Sequence, residues 1–247
     1  MNIKRLTISI TTAVLLTAGF SAFISNKTQT DNILSYNASS KTQDLRFYWK
    51  DAKGVPFKSI QNLKTELETK KQKLIFAMNA GMYKKDNSPQ GLFIENFVIK
   101  SLIDTTTGKG NFYLKPNGVF YIDADMKSVI CKTEDFKNDG KIKYATQSGP
   151  MLVIEGLINS LFTKGSKNLN IRNGAGILPD NSVVFAMSKT EINFYDFAEY
   201  FKNLGCRNAL YLDGFISRTY LPEQKWTQAD GDFGVIIGIT EGIANSK

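Results

Sequence analysis

The chain has 247 residues, 42% of them hydrophobic, a formal charge of +8 and no histidine. That is enough length and apolar content for one sizeable core, which excludes a disordered or fibrous protein. The missing histidine excludes Ser-His-Asp and Cys-His catalysis and histidine-bearing zinc sites, leaving carboxylates, Arg or Lys, Tyr, Ser or Thr, backbone amides or an oxygen-liganded metal for any chemistry.

Lys4 and Arg5 precede the uncharged stretch Leu6 to Ile24, which has the basic and apolar regions of an export signal. Residues 1–25 are therefore expected to be a signal peptide or a retained N-terminal membrane anchor, and the protein to work outside the cytoplasm. Residues 26–43, rich in Ser, Thr and Asn, read as a polar linker, and residues 44–247 as one domain. Ile60, Leu63 and Leu67 mark an amphipathic helix within Phe57 to Lys71. A buried strand, Leu74 to Met78, follows and ends at Asn79-Ala80-Gly81. The middle of the chain then becomes hairpin-rich. Gly91 to Ile94 turns at Glu95-Asn96 into Phe97 to Ile99, and Asn111 to Leu114 turns at Pro116-Asn117-Gly118 into Val119 to Ile122. Ser128 to Cys131, Met151 to Ile154 with its Glu155-Gly156 turn, and Gly176 to Leu178 with Ser182 to Met187 continue the pattern. Asn193 is the expected N-cap of a helix whose stripe is Phe194, Phe197, Ala198, Phe201 and Leu204. Ala209 to Leu212 and Phe233 to Thr240 close the chain as strands. The predicted class is α+β, a hairpin-rich mixed β-sheet domain packed by a few helices.

The lysines are scattered apart from Lys70, Lys71 and Lys73, and there is no nucleic-acid motif, so the charge favours an anionic partner without specifying one. Cys131 and Cys206 are equally compatible with a disulfide and with two buried thiols. Polar or glycine-rich stops recur at strand ends: Asn79-Ala80-Gly81-Met82-Tyr83, Gln147-Ser148-Gly149-Pro150, Ile171-Arg172-Asn173-Gly174 and Leu212-Asp213-Gly214, with Ser217 beyond. Such loops are where a sheet brings distant side chains together, although ordinary turns have the same composition. Arg172, flanked by Ile171 and small residues, fits either a half-buried anion-binding guanidinium or a surface ion pair. Glu95, Asp123 and Asp125 read as turn residues, and Asp104 fits a turn or a site equally.

The ordered segments FAMNAGMY, PQGLFIEN, GNFYLKPNGVF, ATQSGPMLVIEG, IRNGAGILPDNSVVF, INFYDFAEYF and NALYLDGFIS resemble the phosphodiester glycosidase domain family over roughly residues 70 to 240. That family hydrolyses the bond between a sugar's anomeric carbon and a phosphodiester oxygen. The resemblance implies Asp213, Arg172 and Asn79 as catalytic residues. It implies Ser217, Gly81, Ser148, Gly149 and Gly214 as substrate-binding or site-shaping residues; no cofactor is expected, and with no histidine and no clustered acidic loop nothing in the sequence calls for a metal. Two departures stand out. Phe215 and Ile216 replace glycines of a Gly-rich LDGGGS segment, and Met187-Ser188 stands where many members carry an acidic residue and Gly. The expected partner is a phosphorylated glycan or sugar-1-phosphodiester rather than a nucleic acid. The N-terminal segment offers membrane attachment. A noncatalytic module that binds anionic glycans through Arg172 and the basic surface is the alternative, and a structural envelope protein without ligand a third reading.

Overall fold

The computed structural model describes residues 31–213 and 216–243. The expected signal or anchor segment, Gly214 and Phe215 lie outside the described residues.

In chain order the elements begin with β1 (Ile33–Ala38), β2 (Asp44–Tyr48), α1 (Ile60–Thr69), β3 (Gln72–Ala80), β4 (Phe93–Glu95) and β5 (Val98–Ser101). Next come β6 (Gly118–Asp123), β7 (Ser128–Lys132), β8 (Ile142–Ser148), β9 (Met151–Ile154) and β10 (Leu157–Ile158). The last are β11 (Asn173–Ile177), β12 (Val183–Ser188), α2 (Phe194–Asn203), β13 (Ala209–Asp213), β14 (Thr219–Leu221), β15 (Trp226–Thr227) and β16 (Val235–Gly242). They form three sheets, ordered β1-β12-β11-β13-β9-β10, β15-β14-β3-β16-β2 and β5-β4-β8-β6-β7. This is the α+β, hairpin-rich domain expected.

The sheets share one core. Phe76 of the second sheet lies 5.2 Å from Phe185 of the first, and Phe47 of the second 5.2 Å from Phe120 of the third. Phe120 and Phe185 close the junction at 5.9 Å. These rings are fully buried, so the junction fixes the three sheets relative to one another. Each helix covers one outer face. Ile60, Leu63 and Leu67 of α1 pack on Leu74, Ala77 and Ile236, while Phe194, Phe197 and Phe201 of α2 pack on Leu152, Val184 and Tyr211. The caps explain where the helices start. Ser59 Oγ accepts from Asn62 N at 3.2 Å, and Asn193 Oδ1 accepts from Asp196 N at 2.9 Å.

Two expectations change, and the open reading of the cysteines is decided. The segment expected to be a polar linker enters the domain: β1 pairs along its whole length with β12, so residues 33–38 are an edge strand. Its polar positions face outward while Ile33, Leu34 and Ala38 are buried. Asn111 to Leu114 is not a strand. Tyr113 N and Leu114 N bond back to Gly110 and Asn111, forming a short 3-10 turn that the Asn117 side chain fastens by donating to Phe112 O. Cys131 and Cys206 are both free thiols.

Candidate active site

β3, β11 and β13 meet at one point through polar, buried residues at or next to their ends: Asn79, Asn173 and Asp213. Asn79 closes on the second sheet, and Asn173 and Asp213 face each other across the first. A register shift beside this pair offsets Asp213 from the regular ladder, a bulge of the kind that re-aims side chains at sites. Asn79 Nδ2 donates to Asp213 Oδ2 at 3.2 Å and to Ile216 O at 2.6 Å. Its Oδ1 accepts from Asn173 Nδ2 at 2.9 Å and from Arg218 N at 2.8 Å. Asn173 completes the clamp by donating to Asn79 O at 3.0 Å and accepting from Asp213 N at 2.9 Å. The carboxylate is thus 4% exposed and oriented by two amides that are fully buried. Networks of this kind hold one geometry because each unpaired member would carry its full desolvation cost.

Strand alternation turns the Arg172 side chain to the opposite face from Asn173, against α2. The guanidinium lies 3.6 Å from the centre of the Phe194 ring, and Arg172 is fully buried. Nε donates to Ile192 O at 2.8 Å, Nη2 to Asn168 O at 2.9 Å, and Nη1 to Tyr211 Oη at 3.3 Å. All are neutral oxygens. Burial lowers the pKa of this cation, and no carboxylate lies within ion-pair distance of it among the described residues. Among the described residues this buried cation is held by neutral oxygens and the faces of Phe194 and Tyr211, so a nearby anion would stabilise it.

Tyr211 and Tyr83 lie within reach of the Asp213 charge, and Tyr211 also accepts from Arg172. Burial, and then the charge of Asp213, push the Tyr83 hydroxyl up to about 12. Burial likewise raises Tyr211 to about 12, with Arg172 opposing and Asp213 adding to the rise. Both phenols are therefore neutral donors across the physiological range. Asn173, Tyr83 and Tyr211 were not singled out from the sequence. Asn173 carried a signal, as it sits inside a polar strand-end segment. Tyr83 likewise closes the strand-end segment Asn79 to Tyr83, whereas Tyr211, inside an apolar run, carried none.

The other expected residues serve this geometry from behind. Ser148 Oγ donates to Leu212 O at 2.6 Å, and Ser217 Oγ donates to Asp213 O at 3.1 Å and Ile171 O at 3.2 Å. They brace the strand end through main-chain oxygens. Gly81 has φ of +72°, and a Cβ there would lie 2.3 Å from Thr146 Oγ1. At Gly149 a Cβ would lie 2.6 Å from Asn117 Cβ, so close packing demands glycine at both. Glu95 sits apart, in a small pocket with Arg46, Tyr48 and Tyr144. Asp123 accepts from Asp125 N and Lys127 N, and Asp104 from Thr106, as turn residues do. No group of three or more Cys, Asp or Glu suited to a metal ion occurs among the described residues. No described helix is long and apolar enough to cross a membrane.

The chain is 35% identical over 223 residues to the Escherichia coli (strain K12) "Uncharacterized protein YigE", covering 90% of this chain and 86% of that one. The catalytic domain of zebrafish N-acetylglucosamine-1-phosphodiester alpha-N-acetylglucosaminidase, solved as a form auto-inhibited by its pro-peptide, shares the fold. Its TM-score is 0.56 at 14% identity, over 85% of this chain and 82% of that one. A hypothetical protein from Synechocystis matches with a TM-score of 0.54 at 12% identity, over 84% of this chain and 59% of its own. The sequence model of the phosphodiester glycosidase family matches residues 72–238, which include Asn79, Arg172, Asn173 and Asp213. The chain belongs to the phosphodiester glycosidase family.

Proposed function

We propose that this protein is an exported hydrolase that cleaves the sugar-phosphate bond of glycosyl-1-phosphodiesters in envelope or extracellular glycans. The observation that carries this reading is an oriented, buried carboxylate at the end of β13 together with a buried guanidinium that has no carboxylate within ion-pair distance among the described residues; Tyr211, bonded to the guanidinium, also feels the charge of Asp213. The leaving group would be a phosphomonoester, whose second pKa is about 6, so it departs near neutral pH without a proton donor. This removes the need for histidine. Arg172 and the neutral tyrosine hydroxyls would stabilise the charge that accumulates on phosphate as the C–O bond breaks. Asp213 would stabilise the oxocarbenium-like sugar or activate the attacking water. The basic N-terminal residues Lys4 and Arg5 and the uncharged stretch behind them support export, either with cleavage or as an anchor.

The test is release of free sugar and phosphomonoester, in equal amounts, from a panel of sugar-1-phosphodiesters. Asp213→Asn should abolish turnover while leaving substrate binding measurable. Binding without turnover by the unmodified chain across the panel would instead assign it as an anionic-glycan-binding module.

A further inference from the structure

We propose that a cleft of about 540 Å³ beside the 3-10 turn is a second binding site, one that takes the phosphoryl group of a sugar phosphate. Lys115, Pro116 and Asn117 form one wall, Lys132 and Thr133 the other, and Thr105 stands across from them. The walls are tied together by Thr133 N donating to Asn117 O at 3.0 Å, so the two lysines are presented from a fixed frame. Asn117 and Thr133 are polar and buried, and their side chains are held in place, Asn117 Nδ2 donating to Phe112 O at 3.0 Å and Thr133 Oγ1 accepting from Gln147 Nε2 at 3.3 Å, so the donors for a ligand come from the two lysines.

The charges favour an anion. Lys115 Nζ has a neutral neighbour, Asn117 Oδ1 at 3.4 Å, and no acidic partner within 4.0 Å among the described residues. Lys132 meets Glu134, which also lines the cleft, at 3.7 Å, but that carboxylate side chain is 74% exposed. A pair so open to water contributes little and yields readily to a better-placed anion. Asp104, on the loop before Thr105, is held by Thr106 Oγ1 at 2.7 Å and Tyr113 Oη at 3.2 Å and is the acid whose charge Lys115 also feels, with no ion pair between them, so an incoming anion would share Lys115 with it. The volume falls within the roughly 300–1,000 Å³ of small-molecule sites, more than a bare phosphate fills, and the Pro116 ring offers an apolar surface for a sugar face.

The cleft is joined to the candidate active site through packed residues. Asn117 packs against Gly149, and the preceding residue, Ser148, is bonded to Leu212 O directly before Asp213. Occupation of the cleft does not depend on the proposed hydrolase function.

The test is a titration of the ¹⁵N-labelled full-length chain with glucose 1-phosphate, inorganic phosphate and, as a neutral control, glucose. Amide signals of Lys115, Asn117 and Thr133 should move saturably with glucose 1-phosphate, at lower concentration than with inorganic phosphate, and stay fixed with glucose. The double variant Lys115→Gln/Lys132→Gln should bind about tenfold or more weakly, as loss of charge-assisted contacts requires, while Lys115→Arg/Lys132→Arg retains binding. In Asp213→Asn the cleft signals should move as in the unmodified chain, even if no substrate is ever turned over. Shifts confined to Asn79, Asn173 and Asp213, or unchanged affinity in a natively folded double Gln variant, would overturn the cleft site and leave the hydrolase reading standing. Equal affinity for inorganic phosphate and glucose 1-phosphate would overturn the sugar-phosphate assignment.

Discussion

Asn173 is the residue whose alteration tests the clamp around Asp213 most sharply. Its amide orientation is set by two main-chain groups, because the Asp213 N–H needs an acceptor and the Asn79 carbonyl needs a donor. Asn173→Ala deletes three buried hydrogen bonds, at 2.9, 2.9 and 3.0 Å. At about 1 kcal/mol net for each, the loss of stability is about 3 kcal/mol. With a urea slope of roughly 2 kcal/mol/M the unfolding midpoint falls by about 1.5 M. Asn173→Asp keeps the shape and the bond from Asp213 N, but turns a second carboxylate oxygen toward two acceptors, Asn79 O and Asn79 Oδ1. It should therefore cost more than Asn173→Ala, although it removes no volume. Urea unfolding of the two variants side by side is the assay. An Asp variant within about 1 kcal/mol of the parent chain, or more stable than the Ala variant, would refute the amide orientation and the clamp built on it.

Glu95 is half-buried, and burial raises its pKa. A carboxyl whose folded pKa is raised is most favourable to the fold below its unfolded value of about 4.3, and that contribution is lost as pH rises through the folded value. Glu95→Gln should thus raise the melting temperature at pH 7, and the gain should vanish near pH 4; an unchanged melting temperature at pH 7 contradicts this. Burial pushes the Cys131 thiol up to about 11 and the Cys206 thiol up to about 12. Both should react slowly with a thiol reagent at pH 8 and rapidly after unfolding, whereas prompt labelling of the folded chain would contradict their burial. Activity, once a substrate is in hand, should show no loss attributable to Tyr83 or Tyr211 between pH 7 and pH 9, since both hydroxyls keep their protons there. A pH–rate profile checks this, and a phenol-like inflection in that range argues against their role as donors.

Much of the fold was legible because single elements carry their own signals. The stripe from Phe194 to Phe201 with Asn193 ahead of it, and the Glu155-Gly156 turn between Met151–Ile154 and Leu157–Ile158, read directly from residue pattern. What escaped depends on partners far along the chain. β1 is polar enough to resemble a tether, and only its pairing with β12, some 150 residues later, makes it a strand. β8 ends in the buried polar run Thr146-Gln147-Ser148, whose side chains are satisfied from other segments; Gln147 Oε1, for example, accepts from Leu92 N and Asp104 N. At the site, Asn79 and Asp213 were visible as polar residues at strand ends and through the family resemblance. Their meeting was not, since 134 positions separate them. Nor does one dimension show that Arg172, next to Asn173, points to the other face of the sheet and meets Tyr211 rather than an acid.

The most direct measurement is hydrolysis of a sugar-1-phosphodiester by the full-length chain in ¹⁸O-labelled water, with the products analysed by mass. Cleavage at the anomeric C–O bond places the label in the free sugar and none in the phosphomonoester, and Asp213→Asn removes both products. Label in the phosphomonoester would mean that water attacks phosphorus. That outcome would contradict a glycosidase built around Asp213 and Arg172.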